Sequence, residues 1–222
     1  MKICIVGFPR SRSSLLLEAI GNHHGIPILG QDLEQIVSLP NIAPHSEQYM
    51  KLLAGILTKP VGVIRLHPAQ LAYKKIICEF DLFNFEQYTH IYLTARRCIA
   101  DAISSNLVAR HLNMWNYNQD NPSLEFVEPI ELTEQYHKDV KHYVYSEHIM
   151  AELQSYFLNK NIKFTQLYYE DIPEFVRDNL GNTDVSHVKT NYQYSTIIKN
   201  YNSIMQLYHI YKEQLQQLTL TQ

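Results

Sequence analysis

The chain has 222 residues, 45% of them hydrophobic, and a formal net charge of −3, which suits one sizeable α/β domain spanning 1–222 and leaves little room for a second independent one. That acidic balance speaks against a general nucleic-acid binder, which carries a basic excess, so any anion binding must be local. Cys4, Cys78 and Cys98 lack metal-ligand spacing, which points to reduced thiols in a cytoplasmic setting without a metal site, and no apolar run is long enough for a signal sequence or the roughly 18 residues of a membrane span.

The opening stretch from Lys2 to Glu18, KICIVGFPRSRSSLLLE, organises the rest. Ile3, Cys4, Ile5 and Val6 read as a strand buried on both faces of a parallel sheet, with Cys4 in the core. Gly7 ends it, Phe8 to Arg12 form a loop with one proline and two arginines, and Ser13-Ser14 open an amphipathic helix to about His23. A strand, a tight loop and a helix N-terminus make an anion site, because unpaired N–H groups and the positive end of the helix dipole converge there. Against the triphosphate-binding pattern GxxxxGK[ST], Gly7 matches the first glycine, but Arg12 stands at the second and Ser13 at the lysine. The chain thus lacks the cation that reaches the β- and γ-phosphates of ATP or GTP.

Gly25–Leu29 reads as a short extended piece, and Asp32, Glu34, His23 and His24 are expected near the carboxyl edge of the sheet. Helical periodicity covers His45–Leu57, and Pro60 ends it. Val61–Leu66 is a second buried strand that delivers Arg65, His67 and Pro68 to its end, where ligands bind in open α/β sheets. Ala69–Ile77 reads as a helix, and Phe80–Tyr88 as an aromatic-rich connection covering the sheet. His90–Ala95 is a third strand, leading through Arg96-Arg97 into a helix that starts near Cys98 and repeats Ile99, Ile103 and Leu107 every four residues. An arginine pair at a helix N-terminus is disfavoured by the dipole, which suggests a compensating anion. Asn116–Pro129 is a polar loop suited to a lid over an acceptor site. Leu132–Leu158 is a long helix with Tyr136, Tyr143, Met150 and Phe157 at seven-residue spacing; Lys163–Tyr169 is a fourth strand, followed by Glu170-Asp171 with Asp171 as N-cap; Tyr194–Leu218 is a final helix.

Pro9-Arg10-Ser11-Arg12-Ser13-Ser14-Leu15-Leu16 resembles the 5′-phosphosulfate loop of the sulfotransferases that use 3′-phosphoadenosine 5′-phosphosulfate (PAPS), whose pattern is close to PRSGTTLL; Arg12 departs from the family's glycine. Arg97 and Ser105, eight residues apart at a strand end, resemble the family's 3′-phosphate element, with Cys98-Ile99 in place of Asp-Pro and Asp101 keeping the acidic position; Arg96 with Ser104 is the competing register. Ala109 and Trp115 fall where the trehalose-type bacterial members have Ala and Trp, and Tyr169-Glu170-Asp171 resembles the late YED element.

The resemblance implies a three-layer α/β fold with helices on both faces of a parallel sheet, related to the nucleotide kinases. It implies transfer of a sulfuryl group from PAPS to a hydroxyl on a small molecule or glycan, without an obligatory metal, leaving the product PAP. Arg10, Ser11, Ser13 and Ser14 would hold the phosphosulfate, Arg97 and Ser105 the 3′-phosphate, and Tyr169 would lie near the adenine, with Lys189 approaching the 3′-phosphate. Gly30–Glu34 resembles the family segment GxPxE, which makes Glu34 the proposed base; Asp32, His67 and the His23-His24 pair are the other candidates. A nucleotide or small-molecule kinase and a non-catalytic PAP-binding module are the rival readings. The residue pattern names neither the acceptor nor an oligomeric state.

Overall fold

The computed structural model describes residues 1–29, 51, 55, 58–73, 77–78, 80–111, 130–131, 134–181 and 194–220. The fold is α/β, built on a four-stranded parallel sheet formed by β1 (Lys2–Gly7), β2 (Gly62–Leu66), β5 (His90–Ala95) and β6 (Thr165–Tyr168), in the order β2-β1-β5-β6. A separate two-stranded hairpin pairs β3 (Ala72–Tyr73) with β4 (Ile77–Cys78). Among the described residues the helices with both ends defined are α1 (Ser13–His24), α2 (Ile99–His111), α3 (Glu134–Asn159), α4 (Ile172–Leu180), α5 (Tyr194–Ile197) and α6 (Ser203–Leu220). The chain divides into two compact units, Met1–Ala95 with Ser146–Ser186, and Arg96–Tyr145 with His187–Gln222.

The first unit carries the sheet. Every residue of β1 is buried because the strand has a neighbour on each side and cover on each face. Its odd positions, Ile3 and Ile5, pack with Leu16, Leu17 and Ile20 of α1 and Ile172, Val176 and Leu180 of α4. Lys2, Cys4 and Val6 point the other way. There Lys2 Nζ lies 4.8 Å from the centre of the Tyr88 ring, and a run of aromatic contacts continues through Phe85 to Phe157 at the end of α3 and on to Phe164. Phe80–Tyr88 folds as two 3-10 turns whose Phe80, Phe83, Phe85 and Tyr88 are buried, the covering role expected of it. Burial in this apolar layer pushes the Cys4 thiol up, so Cys4 is a core residue. Beyond β2 the sheet is extended by a single parallel bridge, Ile28 to Val63, with the Leu29 N–H donating to Val63 O at 2.8 Å and the Val63 N–H to Pro27 O at 2.9 Å. The short extended piece of Gly25–Leu29 is this edge.

In the second unit α2 packs against α5 and α6. Its amino end is tied to the turn before α6 by the Tyr201 hydroxyl, which donates to Asp101 Oδ1 at 2.7 Å, and its carboxyl end to α3 by an Arg110–Asp139 ion pair at 2.7 Å. Burial raises the Asp139 pKa and the neighbouring Arg110 opposes the shift.

Two expected elements are corrected. Ala69–Ile77 is not a helix: a 3-10 turn over Pro68–Leu71 runs into β3 and β4, whose rungs Ala72–Cys78 and Tyr73–Ile77 bond across the hairpin instead of along an axis. Tyr194–Leu218 is not one helix. It breaks after Ile197 because Ile198 is drawn into a parallel bridge with Ile130, and Asn200 turns left-handed at φ 62°, a conformation Asn tolerates better than most residues. The strands and the long helix lie where expected within a residue or two, and the heptad positions Tyr136, Tyr143, Met150 and Phe157 are all buried. Apart from two positions, the helix expected over His45–Leu57 lies outside the described residues, as does all of the Asn116–Pro129 loop. Among the described residues no helix is long and apolar enough to cross a membrane.

Phe157 and its neighbour test the aromatic layer. Phe157 is fully buried and meets the Phe85 ring edge-on at 5.0 Å, whereas Leu158 is 68% exposed. Phe157→Ala should lower the unfolding free energy by about 3–5 kcal/mol, and Leu158→Ala should change it by no more than about 0.5 kcal/mol, both read from urea denaturation.

Candidate anion-binding site

The loop after β1 is folded back onto β5. A Cβ on Gly7 would lie 2.0 Å from Thr94 Oγ1 and 3.0 Å from Ser11 Oγ, so only glycine fits where the loop crosses the strand end. The Phe8 N–H donates to Thr94 O at 3.2 Å and the Ser11 N–H to Phe8 O at 3.3 Å. Ser11 Oγ donates to Phe8 O at 2.7 Å and sits 2.7 Å from Thr94 Oγ1, with Ser11 and Thr94 both fully buried. The Ser11 side chain is therefore a latch inside the loop.

Handedness alternates along this loop. Arg10 and Arg12 have φ of 62° and 58°, whereas Pro9 and Ser11 are not left-handed. Alternation of this kind is the backbone pattern of an anion-binding nest, in which the Ser11 N–H is already taken by Phe8 O. Arg12 is the N-cap of α1, and its carbonyl accepts the Leu16 N–H at 3.1 Å. The N–H groups of Ser13, Ser14 and Leu15 belong to the first turn and have no intrahelical acceptor, and they add the positive end of the α1 dipole. Ser13 is buried, while Ser14 Oγ accepts from Arg65 Nη1. Arg10 is half-buried in the loop itself. From β1 the chain crosses toward β2, and after β5 it returns at β6 on the opposite side of the sheet. The loop thus stands at a topological switch point, on the carboxyl side where open α/β sheets bind ligands.

His67 follows the last β1–β2 rung, Val6–Leu66, and its ring nitrogen Nδ1 lies 3.0 Å from Gly7 O. A carbonyl only accepts, so Nδ1 carries the proton in this contact. The end of β6 joins the same unit: the Tyr169 N–H donates to Ala95 O at 2.7 Å, Arg12 Nη1 donates to Tyr169 O at 3.0 Å, and the Arg12 Cζ stands 3.9 Å from the centre of the Tyr169 ring. Asp171 occupies the N-cap position of α4, but its side chain makes no capping hydrogen bond there; the Phe175 N–H is received by its carbonyl at 2.9 Å. Pro9, Arg10, Ser11, Arg12, Ser13, Ser14, His67 and Tyr169 are all in the first unit. Thr94 was missed as part of it, since only the register sets it opposite Gly7, whereas Arg65 was expected at this strand end and its contact with Ser14 was not.

Arg97 and Ser105 belong to the second unit. The Cys98 carbonyl accepts the Ala102 N–H at 3.1 Å, so α2 starts where expected. Arg96 is half-buried with Nη1 donating to Asp101 O at 2.9 Å, while Arg97 is exposed; Ser104, Ser105 and Ala109 are buried. Asp32, Glu34, Trp115 and Lys189 lie outside the described residues.

The histidine pair is corrected. His23 and His24 do not stand at the carboxyl edge of the sheet, because α1 carries them about 18 Å along its twelve residues from the loop. His23 Nδ1 donates to Leu180 O at 2.9 Å and locks α1 onto α4. His24 is close to His90, the first residue of β5; burial first, then the charges of His23 and His90, hold its pKa below the ordinary 6.5. Neither is positioned to act as a base at the loop.

Gly7→Ala should destabilise the fold by about 1–3 kcal/mol through the overlap with Thr94. Adding Thr94→Ala removes the overlapping hydroxyl and should recover a substantial part of that loss in chemical denaturation. A double variant no more stable than Gly7→Ala would show that the close approach is not what selects glycine.

No protein-family model matches the chain and no curated protein matches it, so what the site does is argued from its own residues.

Proposed function

We propose that the chain is a PAPS-dependent sulfotransferase that moves a sulfuryl group to a hydroxyl of a small molecule or glycan. The observation that carries this reading is the Gly7–Ser14 loop: a backbone nest leading into a helix N-terminus, with Arg10 in the loop and Arg65 on Ser14, and no lysine at the position a triphosphate needs. A kinase-related α/β architecture is in keeping with β1 lying inside the sheet and its loop standing at the switch point.

In this scheme the 5′-phosphosulfate lies in the nest, held by the backbone N–H groups of Ser13 and Ser14 and by Arg10. Arg97 and Ser105 hold the 3′-phosphate, arginine being suited to paired, charge-assisted bonds to phosphate. The acceptor oxygen attacks sulfur in line, the bond from sulfur to the bridging phosphate oxygen breaks, and PAP leaves with the negative charge, which Arg10 stabilises as it forms. Positioning and electrostatics supply most of the rate, since the chemistry needs no covalent help from the protein and no obligatory metal. The acceptor's proton passes to a base. Glu34 has that role by resemblance; His67 is the other candidate beside the loop, its Nδ1 donating to Gly7 O.

Saturation with PAP at about one hundred times its dissociation constant should stabilise the protein by about 2.7 kcal/mol, with AMP doing much less in the same thermal melts; equal shifts would remove the 3′-phosphate site. Arg97→Ala should cost about 1.5–3 kcal/mol of PAP affinity, whereas Arg10→Ala should act mainly on turnover. Loss of PAP binding in Arg96→Ala instead would move the register by one. PAP binding without turnover on any acceptor would leave a non-catalytic module, and turnover that requires ATP and magnesium would favour a kinase.

The base is decided by a pair of variants. Glu34→Gln should leave PAP binding nearly unchanged and lower turnover by at least about a hundredfold. Full activity in Glu34→Gln together with lost turnover in His67→Ala, at unchanged PAP affinity, would assign the base to His67.

A further inference from the structure

Arg12 stands at a backbone position with φ 58° and ψ 19°, a left-handed conformation that glycine adopts readily and arginine rarely does. Something must hold it there. The side chain supplies the hold: its guanidinium lies 3.9 Å over the Tyr169 ring, and Nη1 donates to the Tyr169 carbonyl at 3.0 Å. Tyr169 is fixed in turn, its N–H donating to Ala95 O at 2.7 Å at the end of β5. The contact joins residues 157 positions apart in sequence and anchors the loop's helix entry to the end of β6.

We infer that Arg12 is a positioning residue of the anion loop. Its clamp on Tyr169 holds the left-handed turn that aims the first-turn N–H groups of α1 into the nest, so the anion's affinity depends on a tyrosine that need not touch it. The inference rests on the anion-site reading above. It assigns Arg12 a conformational role, distinct from the direct charge contact of Arg10.

Two measurements on Arg12→Ala, Arg12→Gly, Tyr169→Leu and the double variant Arg12→Ala/Tyr169→Leu test it. The first is amide hydrogen exchange in the protein without ligand, at the Ser11 and Leu16 N–H groups, whose acceptors are Phe8 O and Arg12 O. The second is affinity for inorganic pyrophosphate, which carries no adenine, so a lost contact between Tyr169 and a base cannot produce the effect. Arg12→Ala and Tyr169→Leu should each speed exchange and weaken pyrophosphate binding by about tenfold, with the double variant no worse than either single. Arg12→Gly should bind pyrophosphate markedly better than Arg12→Ala, because glycine takes the left-handed turn without a clamp. Equal weakness in Arg12→Gly and Arg12→Ala would show that the guanidinium acts by charge and overturn the inference, as would unchanged exchange in Tyr169→Leu. Failure of the wild-type protein to bind pyrophosphate or PAP would sink the sulfotransferase reading, while the exchange measurements would still decide on the clamp.

Discussion

The structure around the candidate site depends on one close approach, Gly7 against Thr94. Parallel strands keep their neighbours about 4.8 Å apart, so a loop can cross back over a strand end only where the side chains of both are small or absent. Gly7 supplies the absence, and Thr94 uses the space with a hydroxyl that meets Ser11 Oγ at 2.7 Å. That buried pair satisfies two hydroxyls that would otherwise be costly to desolvate. It also decides the path of the chain. With Phe8 bonded to Thr94 and Ser11 latched to Phe8, the intervening Arg10 turns left-handed.

Electrostatics then follows from placement and not from composition. The chain is acidic by three charges, yet the switch point gathers Arg10, Arg12 and the Arg65 that reaches Ser14, together with the positive end of α1. A local field of this kind attracts an anion regardless of net charge. The three arginines are not equivalent. Arg12 is engaged with Tyr169 and Arg65 with Ser14, so their first effect is on the scaffold that presents the backbone N–H groups.

How much of this was legible in the sequence depends on how local each feature is. The β-branched run at Ile3–Val6, the apolar repeat of α3 and the strand at His90–Ala95 are written in contiguous side chains and are read correctly. The α6 break was not, because its cause is Ile130, more than sixty residues upstream of the Ile198 it pairs with. The small hairpin at Ala72–Cys78 was hidden for a related reason: with two residues per strand it has no period to recognise. Within the site, the Pro9–Ser14 motif and the placement of Arg65 at a strand end were visible as patterns, whereas Thr94, the reach of Arg65 to Ser14 and the seat of Arg12 on Tyr169 are products of strand order and register. The histidine pair was misplaced because adjacency in sequence says nothing about which end of a helix faces the ligand edge.

Arg12 shows how a rule of sequence can fail locally and still be satisfied physically. Glycine at a left-handed position lowers the strain of the folded loop but leaves the unfolded chain, and the loop itself, more conformations to lose. An arginine with a docking place reverses both sides of that balance. The backbone is strained, but the stacked guanidinium and its bond to a carbonyl select one conformer in advance. A nest of N–H groups binds an anion most tightly when its geometry is set before the anion arrives, since ordering on binding is subtracted from affinity. The departure from glycine is therefore compatible with an anion loop so long as Tyr169 is present, and the two residues should be regarded as one feature of the site.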